Sequence, residues 1–102
     1  MRGLIVLVVG DDPARLEAAL EIAAAHAALG GATRLHLHDR AVPLLADEPP
    51  ALATALELGV RVSACQTGVD RGGLRLDRWP SVEADGLVGV LASLGEDRLV
   101  VV

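Results

Sequence analysis

The sequence contains no lysine, no phenylalanine and no tyrosine, and it has one cysteine and one tryptophan among its 102 residues. All nine basic side chains are arginine, which excludes phosphate-binding loops of the Walker type and Schiff-base chemistry, because both need lysine. The net charge of -5, without a basic stripe or interleaved aromatic residues, argues against a nucleic-acid partner.

The single cysteine, Cys65, excludes an internal disulfide and a zinc site of the usual multi-thiolate kind. No signal peptide is evident at the N-terminus, and the longest apolar segment, 16–29, is interrupted by two glutamates and a histidine. We therefore expect no membrane association. These features together predict a cytoplasmic protein with no metal and no cofactor.

Apolar residues make up 52% of the chain although Trp79 is its only aromatic residue. The core must therefore consist of leucine, valine, isoleucine and alanine. An apolar fraction this high predicts that part of the apolar surface is buried between subunits. Trp79, which precedes Pro80, is expected to anchor a loop or to contact another subunit.

The N-terminal third has the pattern of a buried strand followed by a helix. Residues 4–9 form a continuous aliphatic run, which is typical of a central strand buried on both faces. Asp12 is suited to cap the helix and Pro13 to occupy its first position. Gly30 follows the apolar repeat, which predicts that the helix ends near residue 29.

The remaining pattern predicts further strands and helices in alternation. Residues 33–38 alternate leucine with arginine or histidine, which indicates a strand with one polar face, at a sheet edge or a subunit interface. The other predicted elements are a loop over 39–47, a helix over 49–59, a buried strand over 60–65, a short strand from Val82, a helix over 87–94 and a strand over 99–102. This alternation predicts one doubly wound α/β domain over residues 1–102.

Cys65 is predicted to end a parallel strand, at the edge where open α/β sheets bind ligands. The backbone N–H groups of Gln66, Thr67 and Gly68 would there favour the thiolate, which is the nucleophilic form of cysteine. Arg71 is the side chain that we expect to stabilise this thiolate. The structural alternative is that Cys65 is only a small buried hydrophobic residue.

Five residues separate Cys65 from Arg71, as in the phosphate loop of cysteine phosphatases, where an arginine clamps the phosphate. Those enzymes have histidine before the cysteine and serine or threonine after the arginine, whereas this chain has Ala64 and Gly72. Asp70 would also repel a phosphate dianion. The same segment resembles the rhodanese cysteine loop, but the N-terminal segments expected of that family are missing.

Two further pairs of polar residues have simpler interpretations. Asp11 and Asp12 resemble the acidic pair of receiver domains, but the lysine that such domains require is absent, so helix capping is favoured. His36 and His38 share a strand face and could bind a metal ion, but no third ligand is apparent. Packing in an edge strand or at a subunit interface is therefore favoured for them.

Almost the whole chain resembles the DsrE/DsrF family, which includes the Tus sulfur-relay subunits. The resemblance rests on the first strand with the Gly10-Asp11-Asp12-Pro13 segment that follows it, and on segments 41–45, 59–65, 65–74 and 96–101. It implies a small flavodoxin-like three-layer sandwich with a mainly parallel sheet.

The same resemblance implies a function for Cys65. At the matching position, sulfur-relay members of the family accept sulfur as a persulfide, and the donor and acceptor are thiols of other proteins. Some members have a second cysteine at the position that matches Gly68, so a step through an internal disulfide is not available to this chain. The family also implies a homo-oligomer, a trimer or a hexamer. The alternative is a non-catalytic binding or scaffold protein in which Cys65 is packed at a subunit junction.

Overall fold

The aliphatic run near the N-terminus forms one of five parallel strands of a single sheet in the computed structural model, which describes residues 1–102. The strands pair in the order β4-β3-β2-β1-β5. Their bounds are β1 (Leu4–Val8), β2 (Thr33–Leu37), β3 (Arg61–Cys65), β4 (Glu83–Asp85) and β5 (Arg98–Val101). The predicted parallel α/β sheet is therefore confirmed.

The helices are α1 (Pro13–Ala28), α2 (Pro50–Glu57), α3 (Gln66–Gly72) and α4 (Leu87–Ala92), and a 3₁₀ segment covers Asp39–Asp47. The side chain of Asp12 caps α1 by accepting a hydrogen bond from the backbone N–H of Ala14 at 2.9 Å, and Pro13 is its first residue. Gly30 has a φ of 92°, which favours glycine just after a helix. The predicted capping of α1 is thus confirmed.

The chain steps in one direction across the sheet from β1 to β4 and then returns to pair β5 with β1. Right-handed crossovers therefore place α1, α2 and α3 on one face and α4 on the other, which gives three layers. The first face carries the main core, which includes Val6, Leu16, Leu20, Leu35 and Val62, all at most 1% exposed.

The second face of the sheet is polar where β2, β3 and β4 form it, and this explains why the predicted edge position of β2 is wrong. β2 lies between β1 and β3, and His36 is fully buried. His36 Nδ1 is 2.7 Å from the Ser63 hydroxyl, while Arg34 donates a 2.5 Å hydrogen bond to Asp85. The polar side chains of β2 thus face hydrogen-bonding partners on β3 and β4 rather than water.

Residues 39–47 differ from the predicted loop, since they form a 3₁₀ segment that buries its apolar side chains, Ala41, Val42, Leu44 and Leu45. Trp79 is partly buried against the core, as expected of a loop anchor, while its contact with another subunit stays a prediction. None of the helices combines the length and the apolar character that crossing a membrane would require.

Candidate functional site

Cys65 ends β3 and directly precedes α3, so the sulfur lies at the carboxyl edge of the sheet as predicted. The residue is 8% exposed. Residues 66–72 form the helix α3, which places Gln66, Thr67 and Gly68 in its first turn. Because a helical backbone directs its N–H groups along one axis, this segment does not form the ring of N–H groups that a phosphatase loop needs.

The surroundings of the sulfur favour the thiolate. Burial raises the pKa of the Cys65 thiol, but the backbone N–H groups of Gly68, Asp39 and Thr67, with the hydroxyl of Thr67, lower it by more. The pKa of Cys65 is therefore below its ordinary value. Two of these three residues belong to the first turn of α3, and the third follows β2.

Asp39 reaches the sulfur because the 3₁₀ segment lies close against α3 at Gly68. A Cβ atom on Gly68 would lie 2.7 Å from Cγ2 of Val42 and 3.0 Å from the carbonyl oxygen of Asp39, both closer than real contacts allow. Asp39 itself has a φ of 44°, in the left-handed region. The absence of a side chain at Gly68 thus permits the approach of Asp39.

Arg71 and Gln66 bind carboxylates near the sulfur. Arg71 Nη1 donates to Asp39 Oδ1 at 2.9 Å, and Gln66 Nε2 donates to Asp70 Oδ1 at 2.8 Å. The Arg71 side chain is 67% exposed. Arg71 thus binds Asp39, whose backbone N–H lowers the pKa of Cys65. Direct stabilisation of the thiolate by Arg71 stays a prediction.

A cavity of about 280 Å³ lies beside these residues. It contains a second ion pair, in which Arg40 Nη2 is 3.3 Å from Asp11 Oδ2. Gly68 and Asp39, which face the sulfur, also form part of the cavity wall. The complete lining is Asp11, Asp39, Arg40, Pro43, Gly68, Arg71 and Gly72. Two ion pairs therefore line this cavity, and Gly68 and Asp39 belong both to its wall and to the surroundings of Cys65.

Asp39 is the site residue that the sequence analysis missed. The signal that could have identified it is its position two residues after the end of β2, because neighbouring parallel strands deliver the residues after them to the same edge of the sheet. An aspartate at such a position also tolerates a positive φ better than most residues.

A buried polar cluster occupies the second face of the sheet, below α4. Arg34 Nη2 bonds both Ser63 and Asp85 and, through Ser63, connects to His36. Burial, with a smaller effect of Arg34, lowers the pKa of His36 to about 4. Three buried nitrogens have no hydrogen-bond partner: Arg34 Nε, His36 Nε2 and His38 Nδ1. No group of three or more metal-ligating side chains is present, so His36 and His38 have no third ligand.

The chain matches no family model. It is 38% identical over 91 residues to a 4-diphosphocytidyl-2-C-methyl-D-erythritol kinase of Rhizorhabdus wittichii. The matched region is 83% of this chain but 30% of that protein. The chain thus spans less than a third of the length of that kinase, and the similarity concerns this region alone.

Proposed function

We propose that this protein is an intracellular sulfur carrier in which Cys65 holds a transferable persulfide. The observation that carries the proposal is the position of Cys65 at the carboxyl end of β3, directly before α3, where the backbone of Gly68, Asp39 and Thr67 lowers the pKa of the thiol. The thiolate is the species that attacks a sulfur donor, and a lowered pKa increases its share.

The transfer is a thiol–persulfide exchange. The Cys65 thiolate attacks the terminal sulfur of a donor persulfide, so a sulfur–sulfur bond forms at Cys65 while the donor's own sulfur–sulfur bond breaks. The bonding pair leaves on the donor thiolate, and the same reaction in reverse delivers the sulfur to an acceptor thiol. The exchange has no net oxidation and uses no metal or cofactor.

The burial of Cys65 favours a protein as the partner. With the residue 8% exposed, a persulfide there is shielded from bulk thiols, and a donor must present its sulfur on a projecting segment. The ion pairs of Asp39 with Arg71 and of Asp11 with Arg40 line the neighbouring cavity. These charged groups would orient a polar partner segment.

We also propose that the protein is a homo-oligomer, a trimer or a hexamer. The support is the large apolar side chains left exposed on α4 and β5: Val88 is 84% exposed, Val101 58% and Leu91 42%. Such side chains on adjacent elements are typical of subunit contacts.

The rival proposal is a non-catalytic scaffold in which Cys65 is packed only for structure. The lowered pKa of Cys65 favours the carrier, since a purely structural buried thiol would have its pKa raised. The kinase name of the partial relative gives no support for a kinase activity of this chain. The matched region is 30% of that protein, and the chain has no lysine for binding phosphates.

The proposal is tested by measuring transferable sulfur. The protein is incubated with a cysteine desulfurase and cysteine, separated from both, and treated with cyanide, which converts persulfide sulfur to thiocyanate. We expect about one thiocyanate per chain by the exchange chemistry above, and none from Cys65→Ser. Equal and negligible thiocyanate from both proteins would instead favour the scaffold.

A further inference from the structure

The strand β5 is apolar but exposed along its whole length. Leu99, Val100 and Val101 are 38%, 41% and 58% exposed. The strand pairs with β1 on one side, and its other edge is free. Parallel sheets are almost always covered on both faces. An apolar strand in this position is therefore expected to contact a further element.

A groove lies beside β5 at the amino edge of the sheet. Its volume is about 570 Å³, which makes it the largest cavity of the protein. Leu4 and Val100 give it an apolar floor, and Val100 pairs with Val6 of the main core. The groove therefore lies on the first face of the sheet, which α1 also covers. Its complete lining is Met1, Arg2, Leu4, His26, Arg98 and Val100.

The groove contains the two arginines of the chain that form no ion pair. The chain has nine arginines, and seven of them are paired with a carboxylate. Arg2 and Arg98 are the other two, and both line the groove. Two unpaired guanidinium groups beside an apolar floor match a partner that presents carboxylates next to apolar side chains.

The exposed face of α1 has this composition. Ile22 is 52% exposed, and Leu29, which directly follows the helix, is 73% exposed. Glu17 and Glu21 lie one turn apart on α1, and neither forms an ion pair. The alanines exposed on the same helix allow a second helix to approach closely. The chain thus contains both the cationic groove and an acidic apolar helix that complements it.

The two surfaces are next to each other in the fold. Ile22 lies one turn before His26, so it shares with His26 the face of α1 that borders the groove. Two copies whose α1 helices are antiparallel about a twofold axis would therefore place each helix against the groove of the other. Every contact of this kind occurs twice around the axis, as in symmetric dimers generally.

We propose that the groove beside β5 binds helix α1 of a second copy of this chain, an inference that rests on the proposed homo-oligomer. The apolar residues of α1 cover Leu4 and Val100 of the other copy, and its two glutamates lie against Arg2 and Arg98. The contact needs a twofold axis. A dimer and a hexamer made of two trimers have such an axis, whereas a single ring of three does not.

The first test exchanges the charges and measures the mass of the assembly by analytical ultracentrifugation. Arg2→Glu/Arg98→Glu and Glu17→Arg/Glu21→Arg should each weaken the self-association about 100-fold or more, because like charges then meet at the contact. An equimolar mixture of the two variants should associate again, since the helix of each complements the groove of the other. Arg75→Glu changes an exposed arginine outside the groove and should associate like the wild-type protein. Unchanged association of both double variants, or a mixture that does not associate, would overturn the inference.

A second test uses a variant that keeps the charge of the groove. The chain has no lysine, so Arg98→Lys introduces its one side-chain amine, which a carbodiimide joins to a carboxylate in direct contact. Peptide mapping of a mixture of isotope-labelled and unlabelled protein identifies the links between copies. We expect links from position 98 of one copy to Glu17 or Glu21 of the other. Links confined to a single chain would contradict the contact.

The outcomes separate this inference from the proposed homo-oligomer. A wild-type hexamer that charge reversal splits into trimers supports both, and a wild-type dimer that it splits into monomers supports the twofold contact alone. A trimer that charge reversal leaves unchanged supports the proposed oligomer and overturns the inference. A wild-type monomer overturns both, and the occupant of the groove is then to be sought in a different protein with an acidic apolar helix.

Discussion

Arg71 donates a 2.9 Å hydrogen bond to the carboxylate of Asp39, and thereby connects α3 to the residue that follows β2. The backbone N–H of the same aspartate lowers the pKa of Cys65. The cysteine and the arginine that stand out in the sequence are therefore connected through a third residue. We therefore expect side-chain substitutions at Asp39 and Gly68 to change the reactivity of the thiol, because they move the backbone groups that face it.

The first prediction concerns the thiol itself. Since the pKa of Cys65 is lowered, the rate of alkylation by iodoacetamide in the native protein should rise with pH through a midpoint below that of the denatured protein. The measurement is the rate of mass increase across pH, with a denatured sample as the reference. A thiol that reacts only after denaturation would contradict this account of the site.

The second prediction concerns the contact of Gly68 with the 3₁₀ segment. Gly68→Ala would place its Cβ 2.7 Å from Val42 and 3.0 Å from the Asp39 carbonyl. We expect a loss of about 1–3 kcal/mol in the free energy of unfolding and a higher pKa of Cys65, because Asp39 must move away. Urea unfolding and the alkylation profile measure the two effects.

Gly72→Ala is the matched control for Gly68→Ala. Gly72 lies in the same helix, and a Cβ there has nothing within 4 Å. Alanine is favoured over glycine in helices by about 0.5–1 kcal/mol, so this variant should be as stable as the wild-type protein or more so. Equal losses from the two substitutions would show that the Gly68 contact is not the cause.

The third prediction uses the left-handed backbone of Asp39, whose φ is 44°. Asp39→Gly and Asp39→Ala both remove the ion pair with Arg71, but only alanine is strained at this φ. Asp39→Ala should therefore be less stable than Asp39→Gly by about 1 kcal/mol in urea unfolding. Arg71→Gln should cost less than about 1 kcal/mol, because the pair is exposed. Equal stability of the two Asp39 variants would exclude backbone strain.

The fourth prediction concerns the dependence of stability on pH. The pKa of His36 is lowered from 6.5 to about 4 by burial and by Arg34. Between these values the unfolded chain binds a proton that the folded protein does not, so stability falls as the pH decreases from about 6.5 to about 4, by up to about 3 kcal/mol. The pKa of Asp85 is also lowered by Arg34, so its contribution is lost only at still more acidic pH.

Urea unfolding at neutral and mildly acidic pH measures this effect. The His36→Gln variant should lose most of the pH dependence, whereas His26→Gln should retain it, because His26 is only partly buried. A wild-type protein whose stability is constant over this range would show that His36 is not held neutral by the fold.

The regular elements were predictable from local sequence because their signals are local. The aliphatic run of β1 and the Asp12-Pro13 start of α1 define a strand and a helix without knowledge of the rest of the fold. The end of β3 at Cys65 was predictable in the same way. These residues need only their neighbours in the chain to determine their conformation.

The polar face of β2 was not predictable, because its partners are distant in the sequence. Alternating leucine and polar residues indicates an exposed face unless the polar groups are paired inside the fold. Arg34 is paired with Asp85, 51 residues later, and His36 with Ser63, 27 residues later. Asp39 was missed for the same reason, since its contact with Gly68 depends on how two helical segments pack.

The measurement that tests the carrier function most directly is the intact mass of the protein after incubation with a cysteine desulfurase and cysteine, beside Cys65→Ser. The account predicts a gain of one sulfur atom in the wild-type protein, no gain in the variant, and reversal of the gain by dithiothreitol. No gain in the wild-type protein, although the same desulfurase loads a known acceptor, would contradict the assignment of Cys65 as a persulfide carrier.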